Sequence, residues 1–173
     1  MARPDRTRIV PVSTILAVVF LLVLPRAHGV QIMVDALDGD VDGSDNVCSL
    51  SEAIQNANDG GQTNADCLAG TSGSDTILLT VDVTLGTGFV DLNDGRNGTP
   101  TVTTSITVDG QGHTVRRGGP ACSPDGTLDS DEFRLFHISS GGGTLVVDDT
   151  RLEDGCVDGR RISRGGRPGV ISA

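Results

Sequence analysis

The residues best suited to metal binding lie in an acidic loop near the start of the chain. Three aspartates alternate with other residues there, namely Asp38, Asp40 and Asp42. With Gly43 they match the first half of a calcium-binding loop, in which alternate carboxylates converge on one hard cation. The last position of such a loop is Ser49 here instead of glutamate, so an EF-hand is excluded. Two interpretations remain, a looser Ca²⁺ site that includes Asp45 and a solvated acidic turn.

Carboxylates that would suit polysaccharide cleavage are also present, but their spacing does not favour it. Adjacent side chains of a strand point to opposite faces, so Asp148 and Asp149 would flank one glycosidic bond only across a turn. A second group comprises Asp129, Asp131 and Glu132. The sequence contains neither tryptophan nor tyrosine, the usual platforms for sugar rings. These features favour a chain without a catalytic residue.

The first 29 residues have the pattern of a cleaved secretory signal. A basic start precedes the apolar run Ile9–Leu24, which is shorter than the roughly 20 residues that a membrane-spanning helix needs. Ala27 and Gly29 then supply small residues three and one positions before the expected cleavage site. The sequence therefore predicts a secreted or cell-surface chain that starts at Val30 and has no membrane span after cleavage.

The chain is strongly acidic. It has 13 basic and 23 acidic residues, and the first 29 residues hold four of the former and one of the latter, so residues 30–173 carry a net charge of −13. Such a charge repels nucleic acid and anionic membranes and favours cations or basic partners. All basic residues are arginines. Abundant glycine, valine and threonine predict short strands and tight turns.

The cysteine content agrees with export. Four cysteines follow the predicted signal, namely Cys48, Cys67, Cys122 and Cys156. An even number in an exported chain is typical of two disulfides, for which three connectivities exist. A zinc site is disfavoured, because the cysteines form no CxxC pair and His113 and His137 stand at no ligand spacing.

One helix is predicted directly after Cys48. Ser49 and Glu52 have the spacing of a capping box, in which each side chain accepts a backbone N–H of the other residue. Apolar residues follow at helical spacing, namely Leu50, Ala53, Ile54 and Ala57. The helix is expected to end at 58–61, Asn-Asp-Gly-Gly, since these residues tolerate left-handed geometry.

Beyond the helix the apolar pattern changes to a period of two. Residues 77–85 and 101–108 each place apolar side chains on one face, which predicts two strands. Shorter apolar runs follow at Phe133–Ile138 and Leu145–Val147. Glycine-rich turns separate the runs and no helix intervenes. Hairpins of a sandwich and coils of a β-solenoid both fit this order.

The segment Cys48-Ser49-Leu50-Ser51-Glu52-Ala53-Ile54 resembles the Cys-Ser-Leu-Arg-Glu-Ala (CSLREA) motif. This motif marks the N-terminal end of many bacterial secreted and surface right-handed β-helix proteins. Residues 106–112 and 143–147 look like successive coils of such a protein, and the resemblance covers about residues 30–158. Ser51 replaces the family's arginine, and we expect this position on the exposed face of the helix.

The resemblance implies an all-β fold, a right-handed parallel β-helix with one amphipathic capping helix. A first coil with an open edge invites association, so a helix is expected to cover it. The implied organisation is a signal peptide at 1–29, an N-terminal cap at 30–74, the first coils at 75–158 and a basic tail at 159–173. The tail has four arginines and no acid, so we expect a truncated chain whose tail is not native solenoid sequence.

The position of the helix suggests one disulfide connectivity. Cys48 precedes the helix and Cys67 follows it, so this pair would staple the cap, and Cys122–Cys156 would tie 118–132 to the next coil.

The expected function is a non-catalytic, structural or adhesive one, in the N-terminal part of a β-helix protein that contacts an extracellular glycan or protein surface. The alternatives are a fragment of a polysaccharide-active β-helix enzyme and a small calcium-dependent secreted binding domain.

Overall fold

The fold consists mainly of β-strands, many of them parallel, with one helix after the first strand. A computed structural model describes residues 29–91, 95–123, 131–157, 160–164 and 169–172. The backbone alone is described at 90–91, 157, 160–164 and 169–172. The predicted signal therefore lies outside the described residues, except for Gly29.

The elements follow the chain in a simple order. The helix is α1 (Leu50–Asp59). The strands are β1 (Gln31–Val34), β2 (Asp75–Leu79), β3 (Val83–Leu85), β4 (Phe89–Asp91), β5 (Gly95–Asn97), β6 (Ser105–Asp109), β7 (Thr114–Arg117), β8 (Thr144–Asp148), β9 (Arg151–Val157), β10 (Arg160–Arg164) and β11 (Gly169–Ser172).

Two sheets contain most of the strands. In the first sheet, the order is β1-β2-β6-β8-β11, and the pairs from β1 to β8 are parallel. In the second sheet, β3, β7 and β9 pair in parallel in that order. The chain thus alternates between the sheets, from β2 to β3, β6 to β7 and β8 to β9. A separate pair, β4 and β5, is antiparallel.

The core is built from residues that stack in register. One stack runs through the first sheet and contains Ile32, Ile77, Val108 and Val147. All four are buried, because alternate residues of each strand face the interior. Val83 and Val115 pair in the same way in the second sheet and are also buried. The period of two in the sequence therefore marks the inward face.

The strand predicted at 77–85 is wrong as a single element. It is divided into β2 and β3 by a turn at 80–82, where the chain passes from the first sheet to the second. Leu79 and Val83 remain buried on both sides of the turn, so the alternation persists although the strand does not.

Outside the sheets, two further segments of the chain run side by side. Isolated parallel bridges join Asn97 to Arg134 and Val102 to Ile138. The backbone N–H of Val102 donates to the carbonyl of His137 at 2.8 Å. The strand predicted at 101–108 is therefore also divided, and its regular part begins at Ser105.

The segment expected as a basic tail supplies the last two strands. β10 pairs antiparallel with β9, and β11 pairs antiparallel with β8. Each sheet therefore gains an antiparallel strand at its last edge, beside β9 in one sheet and beside β8 in the other. The sequence pattern had predicted no strand in this segment.

None of the helices in the described ranges is long and apolar enough to cross a membrane.

Candidate functional site

The start of α1 carries the predicted capping box. The Ser49 hydroxyl oxygen accepts the backbone N–H of Glu52 at 3.2 Å, and the Ser49 N–H donates to Glu52 Oε2 at 3.0 Å. Glu52 Oε1 also accepts the backbone N–H of Gly43 at 2.6 Å. The side chain of Glu52 is buried. The Glu52 carboxylate therefore caps the start of the helix and also holds the acidic loop against it. The sequence indicated only the first of these roles.

The apolar face of α1 covers the first two strands. It consists of the predicted residues, and all of them are buried: Leu50, Ala53, Ile54 and Ala57. The helix contacts β1 and β2. At its end, Asn58 Nδ2 donates to the carbonyl of Thr101, and Asn58 Oδ1 accepts the N–H of Thr103. The helix is thus attached both to the first sheet and to the segment 101–103.

The expectation for Ser51 is wrong. Its side chain is fully buried, and its hydroxyl oxygen has no hydrogen-bond partner within the described part of the chain. The reason is that neighbouring segments cover α1 beyond its apolar stripe, so the position outside that stripe is enclosed as well.

A buried asparagine fixes the loop after α1. Asn56 Oδ1 accepts the N–H of Asn64 at 2.8 Å, and its Nδ2 donates to the carbonyls of Asn64 and Leu68 at 3.0 Å each. Asn64 Nδ2 in turn donates to Gln55 Oε1 at 2.8 Å. The sequence analysis did not predict this network. The feature that could have indicated it is Asn56, an amide residue that lies between the apolar positions of the amphipathic helix.

Both predicted disulfides are confirmed. Cys48 is bonded to Cys67, and Cys122 is bonded to Cys156. The first connects the residue before α1 to the loop after it. Two disulfides fit an extracellular, oxidising environment.

The acidic loop brings together a different set of carboxylates from the one predicted. Asp42 lies with Asp45 and Asp66, and one oxygen of each is within 4.8 Å of the others. Asp66 Oδ2 is buried and has no hydrogen-bond partner among the described residues. Asp66 follows α1 in sequence and reaches the loop because the Cys48–Cys67 disulfide holds its segment there.

Asp38 and Asp40 of the predicted metal set point elsewhere. Asp38 forms an isolated bridge with Thr84, and its Oδ1 accepts the N–H of Asp40 at 3.3 Å. Asp40 Oδ1 accepts the hydroxyl of Thr87 at 3.0 Å. The alternating pattern therefore does not converge as a calcium loop does, since this part of the loop runs beside β3.

The candidate catalytic carboxylates that the structure describes take part in local hydrogen bonds. Asp148 and Asp149 are exposed at the end of β8, and Asp149 has a positive φ of 39°. Asp148 Oδ1 accepts the Asp149 N–H at 3.0 Å, so the two form a turn between the sheets. Glu132 is buried and accepts the N–H of Ser123. Asp129 lies outside the described residues.

His113 and His137 each lie beside a polar side chain from a distant part of the sequence. His113 Nδ1 lies 3.2 Å from Asp82 Oδ1, and the Thr114 N–H donates to the same oxygen at 2.9 Å. The Thr114 N–H, and then His113, hold the pKa of Asp82 below its ordinary value of 3.8. His137 Nδ1 lies 3.3 Å from the Thr101 hydroxyl.

Arg117 is a structural anchor that the sequence did not reveal. It is buried, and its guanidinium donates to the carbonyls of Asp154 and Asp131 at 2.9 Å each. The guanidinium also lies 5.9 Å from the centre of the Phe133 ring. It borders a cavity of about 130 Å³ beside Pro120. Its donors satisfy backbone oxygens and fix the segment near the second disulfide.

Comparison of the chain with protein-family models, curated proteins and solved structures finds no match in any of the three.

Proposed function

We propose that the chain is the N-terminal part of a secreted or surface-exposed right-handed β-helix protein with a structural or adhesive, non-catalytic role. The observation that carries the proposal is the parallel order of β2, β6 and β8 in one sheet and of β3, β7 and β9 in the other. Each pass of the chain adds one strand to each sheet, as coils of a solenoid do.

The position of α1 supports the same proposal. β1 is the first strand of its sheet, and an uncovered strand at a sheet edge presents unpaired backbone groups to other chains. The apolar face of α1 packs at this end, against β1 and β2. A terminal cap of this kind is what a stack of repeats requires to remain soluble.

An extracellular location is supported by the two disulfides. The first disulfide closes a loop with a sequence separation of 19 around the cap, and the second has a separation of 34. Disulfides persist in oxidising compartments. The predicted signal at 1–29 supplies the route of export.

The outer face of the first sheet is the surface we propose for adhesion. Thr76 pairs in register with Thr107, and Thr107 pairs with Val146. All three are half-buried and alternate with inward residues, so they form one uncharged outward row. Neighbouring strands lie about 4.8 Å apart, which gives the row a regular spacing along the stack. A regular and uncharged row suits an extended glycan or polypeptide.

A binding experiment tests the adhesive role. The exported protein is screened against extracellular glycans and envelope proteins, and we expect saturable binding that leaves the ligand at its original chain length. Thr107→Arg should weaken this binding by placing a bulky charge in the outer row. Thr114→Arg makes the same change on β7 of the second sheet and should leave binding unchanged. Shortening of an acidic polysaccharide, or formation of unsaturated ends, would instead favour the polysaccharide-active alternative.

The calcium-dependent alternative is favoured by one observation, the convergence of Asp42, Asp45 and Asp66. Three carboxylates within reach of one position are ligands that Ca²⁺ prefers. In that function the ion would hold the acidic loop against the segment after α1, and binding of a partner through the loop would depend on Ca²⁺.

A further inference from the structure

The first residue of the expected mature chain contacts a buried carboxylate. The backbone N–H of Val30 donates to Asp75 Oδ1 at 2.9 Å, and the Val30 carbonyl accepts the N–H of Thr76 at 2.8 Å. Asp75 is 1% exposed. The parallel pairing of β1 with β2 continues through these contacts, so strand register fixes the nitrogen of Val30 beside the carboxylate.

Asp75 occupies a position that the other strands fill with apolar residues. It pairs with Ile106 in the next strand, and Ile106 pairs with Leu145 in the one after, both of them buried. Asp75 also accepts the backbone N–H of Thr71 at 2.9 Å and the Thr71 hydroxyl at 2.6 Å. These donors are neutral. A buried carboxylate is costly when neutral donors alone compensate its charge, and a cation beside it removes much of that cost.

Removal of the leader supplies a cation at this position. Hydrolysis of the Gly29–Val30 peptide bond consumes one water, leaves a carboxylate on Gly29 and leaves an ammonium group on Val30. We propose that this α-ammonium group forms a buried ion pair with Asp75, so that signal cleavage completes the start of β1. This inference rests on the proposed export and on cleavage before Val30. The acceptor is a carboxylate before and after cleavage, and cleavage adds a positive charge to the donor, so the hydrogen bond becomes an ion pair.

Gly29 shows how closely the unprocessed chain passes the residue before β2. A Cβ atom added to Gly29 would lie 1.6 Å from the carbonyl oxygen of Ser74. The unprocessed chain therefore passes too close to Ser74 for any residue other than glycine. Cleavage ends this constraint, because Gly29 leaves and only the ammonium group of Val30 remains beside β2.

The absence of lysine makes the proposal directly measurable. Every basic residue of the sequence is arginine, so the α-amino group of Val30 is the only primary amine of the chain 30–173. An amine-acylating reagent therefore reports on this group alone. The ion pair stabilises the unreactive ammonium form, and we expect acylation about tenfold slower in the folded chain than in urea with the disulfides intact. A matched chain that retains Ala27-His28-Gly29 carries its amine at Ala27 and should react at the rate seen in urea.

Two variants separate the ion pair from simple burial. Asp75→Asn keeps the shape but removes the charge, and it should raise the acylation rate of the folded chain about tenfold. Thr71→Val removes a neutral donor to the same carboxylate and should leave acylation slow. Slow acylation in Asp75→Asn, or fast acylation in the folded wild-type chain, would overturn the proposal.

A second measurement needs no substitution at Asp75. The chain 30–173 is acetylated in urea, which modifies Val30 alone, and the urea is then removed. Acetylation keeps one N–H but removes the charge, so the melting temperature should fall relative to the unmodified chain. The chain that starts at Ala27 should melt at the same temperature with and without acetylation. Equal melting temperatures for both forms of the chain 30–173 would overturn the ion pair, whereas a different N-terminus in the intact mass of exported protein would overturn the cleavage site.

Discussion

The backbone N–H of Gly43 donates to Glu52 Oε1 at 2.6 Å, which joins the acidic loop to the first turn of α1. Glu52 Oε2 accepts the N–H of Ser49, so the two oxygens of one buried carboxylate serve two segments. The cap is therefore a single unit of loop and helix, and its stability should depend on this side chain.

Glu52→Gln should destabilise the cap. The amide keeps one acceptor but turns N–H donors toward a backbone N–H, and a buried group left unsatisfied costs about 1–3 kcal/mol. Urea denaturation measures the change in the free energy of unfolding. Glu153→Gln is the matched control, because Glu153 pairs with Arg151 at 2.8 Å on a partly exposed strand and such pairs contribute about 0–1 kcal/mol. An equal loss in both variants would contradict the role assigned to Glu52.

The disulfide around the cap should contribute substantially to stability. With a sequence separation of 19, removal of the bond in the double variant Cys48→Ser/Cys67→Ser should cost about 3 kcal/mol. The reason is that the closed loop limits the conformations of the unfolded chain. Peptide mapping without reduction should recover Cys48 joined to Cys67 and Cys122 joined to Cys156. A peptide that joins Cys48 to Cys122 would refute this connectivity.

The calcium-dependent alternative makes a prediction about three aspartates. If Ca²⁺ binds where Asp42, Asp45 and Asp66 converge, millimolar Ca²⁺ should raise the melting temperature, because a ligand of the folded state stabilises it. Asp66→Asn should remove most of this rise. Asp40→Asn should retain it, since Asp40 bonds to Thr87 instead. An unchanged melting temperature in the wild-type chain would leave the loop as a solvated acidic turn.

Asp82 should contribute to stability in a pH-dependent way. Its pKa is lowered in the folded state, first by the N–H of Thr114 and then by His113. Its contribution is therefore complete above the ordinary value of 3.8 and is lost as the pH falls through the lower folded pKa. Asp82→Asn should reduce stability at neutral pH, and the difference from wild type should disappear as the pH falls through the folded pKa. Asp149→Asn removes one charge from an exposed aspartate of another turn and serves as the control. A constant difference between Asp82→Asn and wild type at all pH values would contradict this assignment.

Truncation of a side chain in β6 should lower the free energy of unfolding much more when that side chain faces the interior than when it faces outward. Ile106 is 2% exposed, and Ile106→Ala should cost about 2–5 kcal/mol because it removes buried methyl groups and leaves a cavity. Thr107 is the next residue and faces outward, so Thr107→Ala should change stability by no more than about 0.5 kcal/mol. Thermal and urea unfolding of the two variants measure both values. A reversed order would mean that the register of β6 is wrong.

Some features followed from the sequence because they depend on neighbours within one or two turns of chain. Ser49 and Glu52 form the capping box at the spacing that predicted it, and the apolar stripe of α1 is buried. The alternation in 101–108 identified the inward residues Val102, Ile106 and Val108. Local hydrogen bonds and side-chain periodicity determine these features, so no knowledge of distant residues was needed.

Other features depend on which distant segments come together. The chain turns at 80–82 because two sheets meet there, although the alternation continues across the turn. Ser51 is enclosed by neighbouring segments, and Asp66 reaches Asp42 through a loop held by the first disulfide.

The sequence by itself determined the helix, the inward faces of its predicted strands and the number of cysteines available for disulfides. Only the tertiary structure decided which carboxylates converge and that Asp75 lies beside Val30. The physical reason is that periodicity fixes which face of a strand is buried, whereas parallel stacking fixes which residue of another strand lies next to it. That register joins residues far apart in the chain, and no local pattern contains it.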